Sequence, residues 1–220
     1  MRTVVLFSGG KDSTYALFCA LQQGYDVRAL VTIYPQPDSM MFHYPNVDLT
    51  QLQAEAIGLP HAVKKTEKGE KEELSSLSSL LRGLKVDAVV SGAVESEYQK
   101  QRIDMICEEL GLLSLAPLWR KEPLALVREM IASGFEIVVT AVAAEGLGKE
   151  WLGRKLDAKA VGELAELQKS KGVHPLFEGG EGETLVTYAP FFRKRLVIEK
   201  AEKKWSGSSG MLQIKKASLA

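Results

Sequence analysis

Residues 8–13 of this 220-residue chain read Ser-Gly-Gly-Lys-Asp-Ser, and few six-residue strings restrict a fold as tightly. They follow the apolar run Val4-Val5-Leu6-Phe7, a buried-strand pattern, and precede Ala16, Leu17, Ala20 and Leu21 on the apolar side of a helix. A strand that turns through glycines directly into a helix is how open α/β domains begin. The turn gathers free amides and the positive end of a helix dipole, and glycines let an anion approach without side-chain clash. Ser8 and Ser13 add hydroxyl donors, and Lys11 is a candidate counter-charge for phosphate. Neither the G-x-x-x-x-G-K-[ST] string nor G-x-G-x-x-G occurs here. That spacing disfavours a γ-phosphate hydrolase and a dinucleotide enzyme.

Strand and helix signals continue to alternate as far as Trp119. Strands are expected at Val27–Ile33, His61–Thr66, Val86–Val90 and near Leu115, and the intervening helices close at Gly24, Gly58 and Gly111. Asp48 is expected to cap the second helix, with Gln51 completing a capping box. Leu74, Leu77, Leu80, Leu81 and Leu84 mark one stripe of the third helix. The stretch from Tyr34 to Asn46, rich in Pro, Tyr and Met, has neither period and reads as a functional loop. Beyond Trp119, Pro123 opens a helix that runs to Gly134, Phe135–Val142 is a strand, and Asp157 caps a further helix. A glycine- and glutamate-rich loop follows, then a hairpin with strands near Lys194–Trp205 and Met211–Lys216. These patterns predict a doubly wound parallel α/β sheet over residues 1–122 and a smaller α+β domain over 123–220.

Lysine plus arginine and aspartate plus glutamate stand at 28 each, so no global charge draws the chain toward nucleic acid or an anionic membrane. Arg193-Lys194-Arg195 and Lys203-Lys204 read as solvated faces. Cys19 and Cys107 are too few for a disulfide framework or a zinc site and read as buried, reduced thiols. His43, His61 and His174 show no metal-ligand or triad spacing, and none is assigned a catalytic role. No signal peptide and no apolar run near the ~18 residues of a membrane span appears, so a soluble cytoplasmic protein is expected.

Ser8–Ser13 resembles the SGGxDS signature of the N-type ATP pyrophosphatases. Ser91-Gly92-Ala93-Val94-Glu95-Ser96-Glu97-Tyr98-Gln99, with Arg102, Cys107-Glu108 and Pro117-Leu118-Trp119, resembles the diphthine–ammonia ligase family. Glu178-Gly179-Gly180-Glu181-Gly182-Glu183-Thr184-Leu185 is similar to that family's second hallmark. The resemblance implies a HUP-like ATP domain, use of ATP and Mg²⁺, and amidation of the diphthine residue on elongation factor 2. An acyl-adenylate would form on the way, and AMP and pyrophosphate would leave.

On that resemblance Ser8, Gly9, Gly10 and Ser13 hold the leaving pyrophosphate, and Lys11 balances its charge. Asp12 either positions Mg²⁺ or caps the helix. Thr32, Ile33 and Tyr34 end the second strand where related sheets receive adenine, Gly92 admits ribose or α-phosphate, and Arg102 faces the phosphates. Glu95, Tyr98, Glu178, Gly179, Gly180, Glu181, Glu183 and Thr184 fall on the substrate side, with Lys11, Asp12, Glu181 and Glu183 as the catalytic set. The three glutamates of the mobile acidic loop stand as metal ligand, base for ammonium, or partner of diphthine's trimethylammonium group. Tyr98, Trp119 and Tyr188 are candidate aromatic walls for that cation.

Two other readings stay open: an adenylating enzyme acting on a small carboxylate or tRNA, and an ATP- or AMP-binding module without catalysis. Without a glutaminase-sized segment, ammonia would arrive free or from another protein. No direct nucleic-acid or membrane partner is expected, and a homodimer is left open beside a monomer.

Overall fold

The computed structural model describes residues 1–34, 46–66 and 69–220. They divide into two units, Met1–Ser8 with Asp12–Trp119, and Gly9–Lys11 with Arg120–Ala220. Most of the expected Tyr34–Asn46 loop, including His43, lies outside the described residues.

In the first unit the chain runs β1 (Arg2–Leu6), α1 (Lys11–Gln22), β2 (Asp26–Tyr34), α2 (Thr50–Ile57) and β3 (His61–Lys65). It continues through α3 (Gly69–Arg82), β4 (Ala88–Val90), α4 (Glu97–Leu110) and β5 (Leu113–Leu115). All neighbouring strands pair in parallel, in the order β3-β2-β1-β4-β5. This is the doubly wound α/β architecture that the alternation of patterns predicts. On one face Val4, Leu6, Val31 and Val89 pack with Leu77 and Leu81 of α3 and Ile103, Ile106 and Cys107 of α4. Right-handed crossovers send α1 and α2 to the opposite face, where Tyr15, Ala16 and Leu17 are buried. Strands covered on both sides read as unbroken apolar runs, as Val4–Phe7 does.

Two local expectations are corrected. Asp48 does not cap α2: it sits inside a 3₁₀ turn, Val47–Leu49, and the helix starts behind it without a side-chain cap. The turn takes up the offset that the capping-box spacing assigned to Asp48 and Gln51. Cys107 is buried and Cys19 only half-buried; both are free thiols, and burial pushes the Cys107 thiol up to about 11.

The second unit contains α5 (Pro123–Ala132), β6 (Glu136–Val142), α6 (Ala158–Lys171), β7 (Gly182–Tyr188), β8 (Leu196–Ser206) and β9 (Ser209–Leu219). Its strands form an antiparallel sheet in the order β7-β6-β9-β8. Glu122 caps α5 through the amides of Leu124 and Ala125. Asp157 caps α6 as predicted, accepting from the Ala160 amide at 2.8 Å. Leu126, Val127 and Met130 of α5 and Val161 and Leu164 of α6 are buried, as are Ile137 and Val139 of β6. The terminal hairpin is tighter than its glycine- and serine-rich string suggests. Ser206 pairs with Ser209, and Gly207 alone carries the positive φ, 59°, at the first turn position. That position is the one a type II′ turn reserves for glycine.

Among the described residues, no helix is long and apolar enough to cross a membrane.

Candidate functional site

In the first unit, β1 delivers the chain to Ser8 and α1 carries it away. The Ser8 amide donates to the Ser13 hydroxyl at 3.2 Å, and the two hydroxyl oxygens are 3.1 Å apart. Gly9 takes φ 78°, in the left-handed region that favours glycine. Asp12 lies in the first turn of α1, where a carboxylate meets the positive end of the helix. Gly92 follows β4, and a Cβ there would stand 2.7 Å from the Ser13 nitrogen and 2.8 Å from the Asp12 carbonyl carbon. The missing side chain therefore lets the backbone of α1 come close at this point. Ser91, next to it, keeps a buried hydroxyl that has no hydrogen-bond partner among the described residues.

Thr32 shows how the base of the loop is held. Its hydroxyl donates to the Phe7 carbonyl at 2.6 Å and lies 2.8 Å from His61 Nε2. A hydroxyl has one proton, so Nε2–H is the donor to Thr32. Burial holds His61 below its ordinary range, favouring the neutral ring. No pattern in the sequence signals this role of His61, because the contact depends on β2–β3 register. Ile33 is buried. β1 ends at Leu6, opposite Val31, and Thr32, Ile33 and Tyr34 run on beside β3. Burial pushes the Tyr34 phenol up, against a hydrogen bond with Thr50 that acts downward. Its carbonyl accepts from the Thr66 hydroxyl at 3.1 Å.

The second unit holds the middle of the glycine loop together with the acidic motif. β7 is an edge strand of its sheet, and its Val186 amide donates to the Gly9 carbonyl at 3.0 Å. The Lys11 amide donates to the Thr184 hydroxyl at 3.2 Å. Lys11 is 3% exposed; its ammonium donates to the Leu176 carbonyl at 2.5 Å and lies 5.6 Å from the Phe177 ring centre. Phe177 adopts φ 62°, a left-handed conformation that costs a bulky residue about 1–2 kcal/mol.

The acidic motif departs from the mobile loop expected of it. Gly182, Glu183 and Thr184 belong to β7, with Glu183 opposite Ala141 of β6. Only Glu178–Glu181 forms a turn. Glu181 folds back into it, one oxygen accepting from the His174 amide at 3.1 Å and the other from the Gly179 amide at 2.9 Å. His174 Nδ1 accepts from the Leu176 amide at 3.2 Å and the Glu178 amide at 3.5 Å, and the Gly180 amide donates to the Phe177 carbonyl. Glu178 and Glu183 are half-buried. A Cβ at Gly182 would meet the Ala141 carbonyl at 2.7 Å, so that glycine lets the strands close.

The remaining predicted residues lie elsewhere in the first unit. Glu95 is half-buried in the bend between β4 and α4. Arg102 stacks 3.4 Å over the Tyr98 ring and donates to the Tyr98 carbonyl. It lines a groove of about 640 Å³ with Ser75, Ser78, Arg82 and Met105, between α3 and α4. Each proposed aromatic wall already carries a protein cation: Arg102 over Tyr98, Lys100 over Trp119 and, in the second unit, Arg195 over Tyr188.

Two serine hydroxyls, helix-start amides and a glycine at positive φ make a donor set suited to the phosphates of ATP. No group of three His, Cys, Asp or Glu side chains gathers to hold a metal among the described residues.

A parallel sheet in the order β3-β2-β1-β4-β5, with a glycine turn between its first strand and first helix, defines a HUP-like α/β protein of the nucleotide-binding class. Family models narrow this: the diphthamide synthase N-terminal domain matches residues 1–114 and the C-terminal domain matches residues 122–220. The chain belongs to the diphthamide synthase family. It is 36% identical to a diphthine–ammonia ligase of Danio rerio, over 92% of this chain and 88% of that protein. The Homo sapiens diphthine–ammonia ligase is 34% identical, over 92% of this chain and 84% of that protein. With the Schizosaccharomyces pombe diphthine–ammonia ligase identity is 36%, and the match spans 92% of this chain but 37% of that longer relative.

Proposed function

We propose that this protein is a ligase that forms the amide of diphthamide from diphthine, ammonia and ATP, releasing AMP and pyrophosphate. The observation that carries this reading is the joining of two sequence hallmarks. Gly9 and Lys11 of the glycine loop bond directly to Val186, Thr184 and Leu176 around the acidic motif. Family membership and relatives called diphthine–ammonia ligases support the same reaction.

The chemical problem is a carboxylate, which ammonia does not attack. ATP supplies the activation: the carboxylate oxygen bonds to the α-phosphorus, pyrophosphate leaves, and ammonia then displaces AMP from the acyl-adenylate. The chain's own part is alignment and charge stabilisation. Ser8, Gly9, Gly10 and Ser13 hold the departing pyrophosphate, and the strand end Thr32–Tyr34 receives the adenine. Gly92 seats the start of α1 against β4. Mg²⁺, when bound, would neutralise phosphate charge, and Asp12 is the side chain that would help to hold it. Glu178 and Glu183 serve the acceptor and ammonia, Glu95 and Tyr98 the acceptor, and Arg102 the phosphates. Residues 1–122 thus form the ATP domain and 123–220 the domain for the acceptor, which is diphthine on elongation factor 2. The protein acts in the cytoplasm, and a homodimer is compatible with this chemistry.

Ser13→Ala tests the loop. It removes one hydroxyl donor, and AMP release should fall about 100-fold while circular dichroism stays unchanged. Undiminished AMP release would take the loop out of the mechanism.

A further inference from the structure

A lysine in a phosphate-binding loop is ordinarily read as a counter-charge. Here its ammonium is engaged elsewhere. Lys11 is 3% exposed, and Nζ meets the Leu176 carbonyl at 2.5 Å and the face of Phe177 at 5.6 Å from its centre. A buried ammonium needs hydrogen-bond partners in place of water, and a carbonyl with an aromatic face supplies them. The segment it grips is already closely determined. Leu176 and Glu178 donate to His174 Nδ1, His174 and Gly179 donate to Glu181, and Phe177 is held at φ 62°. These bonds fix the turn internally. Lys11, with the Lys11–Thr184 and Val186–Gly9 bonds, ties it to the glycine loop.

We propose that Lys11 is a positioning residue that locks the Leu176–Gly180 segment to Gly9–Lys11 and so fixes where Glu178 stands to serve the acceptor. Glu181 works in the same device: both of its oxygens hold backbone amides, which makes it the internal tie of the turn. In this role Lys11 governs acceptor binding more than phosphate binding. The statement about the acceptor rests on the function proposed above; the statement about the turn does not.

The test compares wild type, Lys11→Met, Lys11→Arg and Phe177→Leu. Lys11→Met keeps an apolar stem and removes the donor; Phe177→Leu removes the aromatic face from the other side and serves if Lys11→Met fails to fold. Hydrogen exchange of the free protein should quicken at least tenfold at Leu176–Gly180 in Lys11→Met and Phe177→Leu. Lys11→Arg, which keeps a charged donor, should recover part of the protection. The Kd for ATP, by calorimetry, should stay within threefold of wild type, and the KM for the diphthine-bearing acceptor should rise at least tenfold. Unchanged exchange in this segment, or an ATP Kd weakened more than tenfold, would overturn the proposal. If the wild type turned over no diphthine while the exchange result held, the functional reading would fail and the lock would stand.

Discussion

At the scale of single residues, Gly92 shows what an absent side chain makes room for. The sequence places it at the end of the fourth strand and invites a ligand into the vacant space. The structure fills that space with the backbone of Ser13 and Asp12, less than 3 Å from where a Cβ would be. Backbone at a helix start cannot yield as a flexible side chain would. Gly92→Ala should therefore lower stability by about 2 kcal/mol, an overpacking cost, read as a shift in the denaturant midpoint. No shift would mean that the start of α1 moves freely. Glu181 carries a similar lesson: three interleaved glutamates read alike in the sequence, yet Glu181 is committed to two amides of its own turn. Only the fold separates that carboxylate from Glu178 and Glu183.

At the scale of elements, the first strand is pinned at its start as well as at its glycine end. The Arg2 guanidinium and amide both donate to Asp87, just ahead of β4. Those bonds hold the Asp87 carboxyl at about 2, from an ordinary 3.8. A depressed folded-state value stabilises the fold above pH 3.8, and the contribution is lost as pH falls toward 2. Asp87→Asn should thus be less stable than wild type at pH 6, and the difference should disappear near pH 2. A gap that persists at the acid end would place the effect in packing rather than charge. The elements themselves were largely legible from sequence. Gly58 and Gly111 each close a helix in the left-handed conformation, a signal that depends only on local sterics. The offset at Asp48 was not legible, because a 3₁₀ turn and an α-helix start share the same capping residues. Nor was β7: glycine and glutamate are poor strand formers, and the antiparallel ladder with β6 overrides them at Gly182 and Glu183.

At the scale of the whole molecule, the fold of the first unit followed from periodicity and the glycine turn alone. The composition of the site followed only in part. Ser8–Ser13 was recognisable because phosphate binding needs glycines and a helix start at adjacent positions. His61 and Thr32 were not recognisable as a pair, since their contact is set by parallel register between strands whose sequence separation carries no pattern. The grip of Lys11 on Leu176 spans 165 positions of sequence and belongs to the same class. Both motifs were visible; how one is fastened to the other was not.

The proposed reaction converts diphthine to its amide at the expense of the α–β bond of ATP. The direct measurement is mass spectrometry of the diphthine-bearing peptide of elongation factor 2 after incubation with the protein, ATP and ammonium, with nucleotides quantified in parallel. The diphthine carboxylate should become a carboxamide, with one AMP formed for each amide. A peptide left as the carboxylate, or an amide accompanied by ADP in place of AMP, would contradict it.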